Sequence, residues 1–199
     1  MLTIPGLVVH ERRHSRVLEE PLASPRGGLM LHYDDSSRDD WAVEWFSEPR
    51  CTNGYTWLVL DDGRVIELAD PGKRTPHAGP CLVPKANSVY YGVAAATNGR
   101  VLATEEQVDA IVGICTAVLR HHQWVRSSVA DVRRRLLGHD EQAIWTRAYT
   151  SERSRWGRLG RKVDPTGTRA DGRKIIDVDD VARRAWEDLS PVSSRGSER

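Results

Sequence analysis

The stretch Leu29-Met30-Leu31-His32-Tyr33 is short, almost wholly apolar, and preceded by Pro21, Pro25, Gly27 and Gly28. An apolar run bounded by turn-forming residues reads as a buried strand, and this one ends near a histidine. Val89 to Thr97 is a second run, rich in small residues, and reads as a strand buried on both faces. Between the two, Tyr55 to Leu60 is aromatic and branched, Asp61-Asp62-Gly63 carries turn chemistry, and Arg64 to Leu68 resumes the apolar pattern. That order predicts a β-hairpin.

Helical signals alternate with these strands. Asp40 to Glu48 sets Trp41, Trp45 and Phe46 at helical spacing, with Asp39 as the expected N-cap. Thr104 and Gln107 form a capping-box pattern, after which Val108, Ile111, Val112, Cys115, Val118 and Leu119 make one apolar stripe. A further helix is predicted from Asp177, with Val178, Val181, Ala182, Trp186 and Leu189 facing inward. Strands interleaved with helices predict an α/β fold: a single domain with a central mixed β-sheet flanked by helices. The expected division is an N-terminal extension over 1–28, the domain over 29–190, and a fraying tail over 191–199. The segment Ala69 to Asn87, rich in Pro and Gly, is expected to be a long loop, and loops of that length usually carry function.

Composition narrows the classes. With 39% hydrophobic and 29% charged residues in 199, the chain is expected to fold as one soluble domain. Lys and Arg number 29 against 28 Asp and Glu, so no net field recruits nucleic acid. Cys51, Cys81 and Cys115 are widely spaced and form no CxxC pair, which suits reduced thiols in a cytosolic product. The apolar start from Met1 to Val9 is broken by Pro5 and Gly6 and met at once by charge, so no signal peptide is expected. No run approaches the ~20 apolar residues of a membrane span.

His10-Glu11-Arg12-Arg13-His14 matches the HExxH zinc pattern, but no long apolar helix accompanies it. A solvated charged segment is the expectation there. Four other segments bear on chemistry. His32 ends its strand where open α/β sheets place their sites, and is there either a satisfied core histidine or a ligand. Thr75-Pro76-His77-Ala78-Gly79 sits in the long loop, and Leu137-Gly138-His139-Asp140-Glu141 follows a short apolar segment; each is a surface cluster or a liganding group with carboxylates behind it. Gly160-Arg161-Lys162-Val163-Asp164-Pro165-Thr166-Gly167 holds a cation and a carboxylate two residues apart on a stiff loop. No two of these candidate ligands share a helical turn, so spacing alone does not declare a metal site.

Taken in order, these segments resemble the type 2 N-acetylmuramoyl-L-alanine amidase family, which includes phage endolysins, bacterial amidases and peptidoglycan recognition proteins. The likeness runs from about Leu29 to about Gly167. It is carried by His32, Gly54-Tyr55 with Leu58 to Arg64, His77-Ala78-Gly79, Asn87-Ser88 before Tyr91-Gly92-Val93, Gly138 to Glu141, and Arg161 to Pro165. Within it, the run from His32 to Gly99 is similar to phage and prophage lysins.

The resemblance implies an amidase-like fold in which His32, His139 and Asp164 bind Zn²⁺ and leave a fourth position open, the arrangement of a hydrolytic zinc centre. It implies Lys162 as the group facing the developing oxyanion, and Tyr55 as a catalytic tyrosine. His77 and Asn87 are assigned to substrate contact, with loop ordering the other role for His77. Many members carry a glutamate general base shortly after the Gly-Val strand motif; here that position is Ala94, which cannot move a proton. Either Tyr55, with the zinc hydroxide itself, is sufficient, as in tyrosine-type members, or Glu141 contributes, or activity is weak. Trp145, Tyr149 and Trp156, among arginines, form either a groove wall or a packed lid.

The implied activity is cleavage of the amide between N-acetylmuramic acid and L-alanine in peptidoglycan, by a phage or prophage endolysin. Peptidoglycan is the expected partner, nucleic acid and membrane are not, and the chain is expected to act as a monomer. It would be cytoplasmic on synthesis and reach the wall after release. A peptidoglycan-binding module without turnover and a cytoplasmic muropeptide-recycling amidase are the competing readings.

Overall fold

A computed structural model describes residues 2–14, 27–34, 36, 38–48, 51, 53–78, 85–98, 101–125, 127–139 and 173–190. The elements run β1 (Glu11–Arg12), β2 (Gly28–Tyr33), α1 (Asp39–Ser47), β3 (Trp57–Val59), β4 (Val65–Glu67), α2 (Ala86–Val89), β5 (Tyr90–Ala95), α3 (Glu105–His121), α4 (Val129–Arg133), β6 (Leu136–Gly138) and α5 (Val178–Leu189). Six strands form one sheet in the order β1-β4-β3-β5-β2-β6. Among the described residues only the β3–β4 hairpin is antiparallel, and every other neighbouring pair is parallel. The expected mixed α/β sheet is therefore present.

Side chains alternate across each strand, and the two faces have different covers. Leu29, Leu31 and Tyr33 of β2 join Tyr91, Val93 and Ala95 of β5 and Trp57 and Val59 of β3 in a core with α3 and α5. The opposite face carries Leu58 and Ala94, packed under Ala42, Val43 and Phe46 of α1. Met30 on that face packs with Ala78, Ala86 and Tyr90. Because both faces are covered, all six residues of β2 and of β5 are buried, as the near-continuous apolar runs predict.

The α3 helix begins where the capping box places it. Thr104 Oγ1 accepts from the Gln107 backbone N–H, and Gln107 Oε1 accepts from the Thr104 N–H. Gln107 does more than cap: its Nε2 also donates to the carbonyls of Val59 and Ala96, 3.1 Å each, tying the helix start to the ends of β3 and β5. In the hairpin, Gly63 takes φ +81° in the turn, and a β-carbon there would come within 2.9 Å of the Glu106 carbonyl oxygen. The start of α5 is capped by Asp177, whose carboxylate accepts from Asp179 N.

Two local details depart from the sequence expectations. Asp39 is the first residue of α1 rather than its cap, and its carboxylate accepts the Asp61 N–H at 3.1 Å, joining α1 to the hairpin turn. The segment around the HExxH match, expected as a solvated charged segment, pairs as an edge strand. His10 Nδ1 accepts from Val65 N, and His14 Nε2 lies 2.8 Å from Oε1 of the buried Glu67, so both imidazoles fasten β1 to β4. Ile4, just before it, is buried in the main core.

Candidate functional site

Two residues 107 positions apart meet because their strands are parallel neighbours. In the β2–β6 pairing Leu31 is the register partner of Gly138, so the next residues, His32 and His139, emerge side by side at the C-terminal ends of their strands. This is the end at which open α/β sheets bind ligands. His32 Nδ1 and His139 Nδ1 are 3.1 Å apart, their ring centroids 4.6 Å. The residues are 1% and 2% exposed, so both rings are withdrawn from bulk water.

His77 completes a cluster of three imidazoles. Its Nδ1 lies 3.0 Å from His32 Nε2, on the side of that ring away from His139, and its Nε2 reaches the Tyr90 carbonyl at 3.1 Å. The ring lies against the sheet at Gly92, where a β-carbon would approach His77 Cγ to 2.7 Å. The loop just beyond is held by Asn87 of α2, whose side-chain amide accepts from Ala78 N at 2.7 Å and donates to Ala78 O at 2.9 Å. His77 and Asn87 thus have their polar atoms directed at the protein in these contacts.

Tyr55 borders the cluster. Its ring centroid is 5.1 Å from His32 and 5.1 Å from Phe46 of α1, so it sits between the helix and the imidazoles. Ala94 is the register partner of His32 on β5 and of Leu58 on β3, and is fully buried. The floor beside His32 is accordingly apolar.

The remaining sequence-derived candidates, Glu141, Lys162 and Asp164, together with Trp145, Tyr149 and Trp156, lie outside the described residues. Among the described residues no group of three His, Cys, Asp or Glu side chains is disposed to hold a metal ion. Two donors nevertheless suit one: nitrogens 3.1 Å apart can each stand ~2.0–2.1 Å from a shared tetrahedral ion. Sequence reasoning named these two histidines. It did not find that His77 backs His32, since that contact depends on a loop-to-sheet approach with no periodic signature.

The fold is that of the amidase and peptidoglycan-recognition class. The chain resembles the Staphylococcus aureus hydrolase AmiA, solved with its ligand, at TM-score 0.60 and 15% identity over 94% of this chain and 85% of that one. It resembles a selenomethionine derivative of AmpD at TM-score 0.57 and 14% identity, covering 81% of this chain and 100% of the other. The Ph2119 endolysin from the Thermus scotoductus MAT2119 bacteriophage Ph2119 aligns at TM-score 0.51 and 15% identity, over 87% and 92% of the two chains. No curated protein matches the chain. Residues 23–167 match the sequence profile of the N-acetylmuramoyl-L-alanine amidases, and the chain belongs to that family. Its activity is therefore that of an amidase acting on peptidoglycan.

Proposed function

We propose that this amidase is zinc-dependent, that His32, His139 and Asp164 hold the ion, and that the protein is a lysin of a phage or prophage. The observation that carries the metal reading is the 3.1 Å approach of the Nδ1 atoms of two buried imidazoles. The lysin reading rests on the resemblance of the run from His32 to Gly99 to phage and prophage members.

Zinc, when bound, supplies a Lewis acid and lowers the pKa of a coordinated water. The residues supply the rest. Tyr55, beside His32, offers a hydroxyl that can hydrogen-bond the attacking water or the scissile carbonyl. Lys162, by the family resemblance, would supply a cation to the charge that develops on the amide oxygen. Hydrolysis adds water across the amide, leaving the lactyl carboxylate on the sugar and a free amino group on L-alanine. The buried, apolar surroundings of Ala94 and Leu58 keep bulk water from one side of the imidazoles.

The test is metal analysis of protein purified without added zinc, joined to release of new L-alanine amino termini from purified cell walls. One equivalent of zinc and steady release are expected. A zinc-loaded protein that releases none would overturn the proposal. Comparing intact sacculi with soluble muropeptides addresses the lysin reading, since a lysin should degrade the polymer.

A further inference from the structure

The three imidazoles form a directed chain, and its direction follows from hydrogen-bond chemistry. A backbone carbonyl only accepts, so His77 Nε2, 3.1 Å from Tyr90 O, must carry the hydrogen. In neutral His77 the lone pair then lies on Nδ1, which faces His32 Nε2 at 3.0 Å. His32 Nε2 must therefore donate, and the lone pair of neutral His32 falls on Nδ1, the atom turned toward His139. The neutral tautomer of His32 is fixed by a carbonyl that reaches it through one intervening imidazole.

We infer that His77 is a positioning residue: it holds His32 as the Nε2–H tautomer, with a bare Nδ1 presented beside His139 Nδ1 for the ion, and Gly92 and Asn87 build its seat. This deepens the zinc reading and rests on it. Metal-bound histidines usually donate their second ring N–H to a carboxylate, carbonyl or water. Here that acceptor is a third imidazole, itself anchored to Tyr90 O. The seat is specific: the absent side chain at Gly92 admits the His77 ring, and the Asn87 clamp on Ala78 fixes the chain one residue further on. Two histidine nitrogens that a substrate-contacting residue would turn outward are spent inward.

The test begins with the wild type. Long-range ¹⁵N-resolved NMR of the zinc-free protein is expected to show His32 protonated on Nε2 and bare on Nδ1; a His32 Nδ1–H tautomer would overturn the inference without any variant. Zinc affinity is then measured by chelator competition for His77→Phe and His77→Gln. The phenylalanine variant is expected to bind about 10- to 100-fold more weakly, with His32 no longer held in one tautomer. Glutamine offers an acceptor to His32 and a donor to Tyr90 O, so it is expected to restore most of the affinity. Unchanged affinity and tautomer in His77→Phe would sink the idea. A wild type that takes up no zinc removes the zinc reading itself, whereas one that binds zinc with the other His32 tautomer in its zinc-free form removes only the role of His77.

Discussion

Ala94 is the register partner of His32 in the pairing of β2 with β5, and both residues are buried. The strand position from which many amidases of this family present a carboxylate is thus occupied by a methyl group next to the candidate ligand. Proton transfer has to come from elsewhere, and Tyr55, the tyrosine that the family resemblance singles out, has its ring centroid 5.1 Å from that of His32. Tyr55→Phe is expected to lower kcat on purified walls by roughly 10²-fold, the low end of general acid–base contributions, while leaving zinc content unchanged. Full turnover in the variant would remove Tyr55 from the chemistry.

The metal assignment makes a paired prediction. His32→Ala, His139→Ala and Asp164→Ala should each lose bound zinc and activity together, because a three-ligand site does not survive on two. Lys162→Ala should keep the metal and lose roughly 10²- to 10³-fold in kcat, as removal of an oxyanion-stabilising group does. Inductively coupled plasma analysis of each variant alongside wall-hydrolysis rates reads both quantities. Zinc retained in all three ligand variants contradicts the assignment.

Gln107 predicts a stability effect away from the imidazoles. Its side chain serves the Thr104 N–H and the Val59 and Ala96 carbonyls from a fully buried position. Gln107→Ala leaves those three backbone groups without this partner, and a few kcal/mol, about 2–3, is the expected cost. Thr104→Ala removes the N-cap acceptor and an exposed hydroxyl bond to the Asp61 carbonyl, and should cost about 1 kcal/mol. Urea denaturation of both variants orders them; equal midpoints would mean the ties to β3 and β5 contribute nothing.

What the sequence disclosed and what it hid separate along physical lines. The capping box and apolar stripe of α3 are local patterns with a fixed period, and the helix starts at the residue they indicate. The runs that became β2 and β5 were legible because burial on both faces demands apolar residues throughout. By contrast, β1 is only Glu11–Arg12, a charged edge pair held through its backbone and two histidines. The strand β6 has three residues, too few to show alternation, yet it is what carries His139 to His32. The meeting of those two histidines was therefore not readable from spacing and came from the ordered motifs of a family. The seat of His77 was invisible for a related reason: a missing side chain at Gly92 marks where a ring fits only once the loop's path is known.

The far side of the sheet carries a pH-sensitive contact. His122 Nε2 is 3.0 Å from the Tyr91 hydroxyl, and the His122 ring stacks on Trp124 at 4.2 Å. Burial, and next the neighbouring His121, lower the His122 pKa from 6.5 to about 4. Burial alone pushes the Tyr91 phenol up, so it stays protonated and shares a hydrogen bond with the neutral imidazole. Between pH 6.5 and about 4 the unfolded chain binds a proton at His122 that the folded one does not, so this group's contribution to stability rises with pH across that window and is lost as the pH falls through it. Buried Asp34, whose pKa desolvation raises to about 6, acts with the opposite sign over much of the same window, so the His122 contribution is read as the difference between wild type and variant in melting curves from pH 7 to pH 4. The double variant His122→Phe, Tyr91→Phe keeps an aromatic ring against Trp124 and removes both the titrating group and the hydroxyl that needs it. As the pH falls over that window the variant should lose less stability than the wild type, and an identical pH profile would show that His122 is not the group responsible.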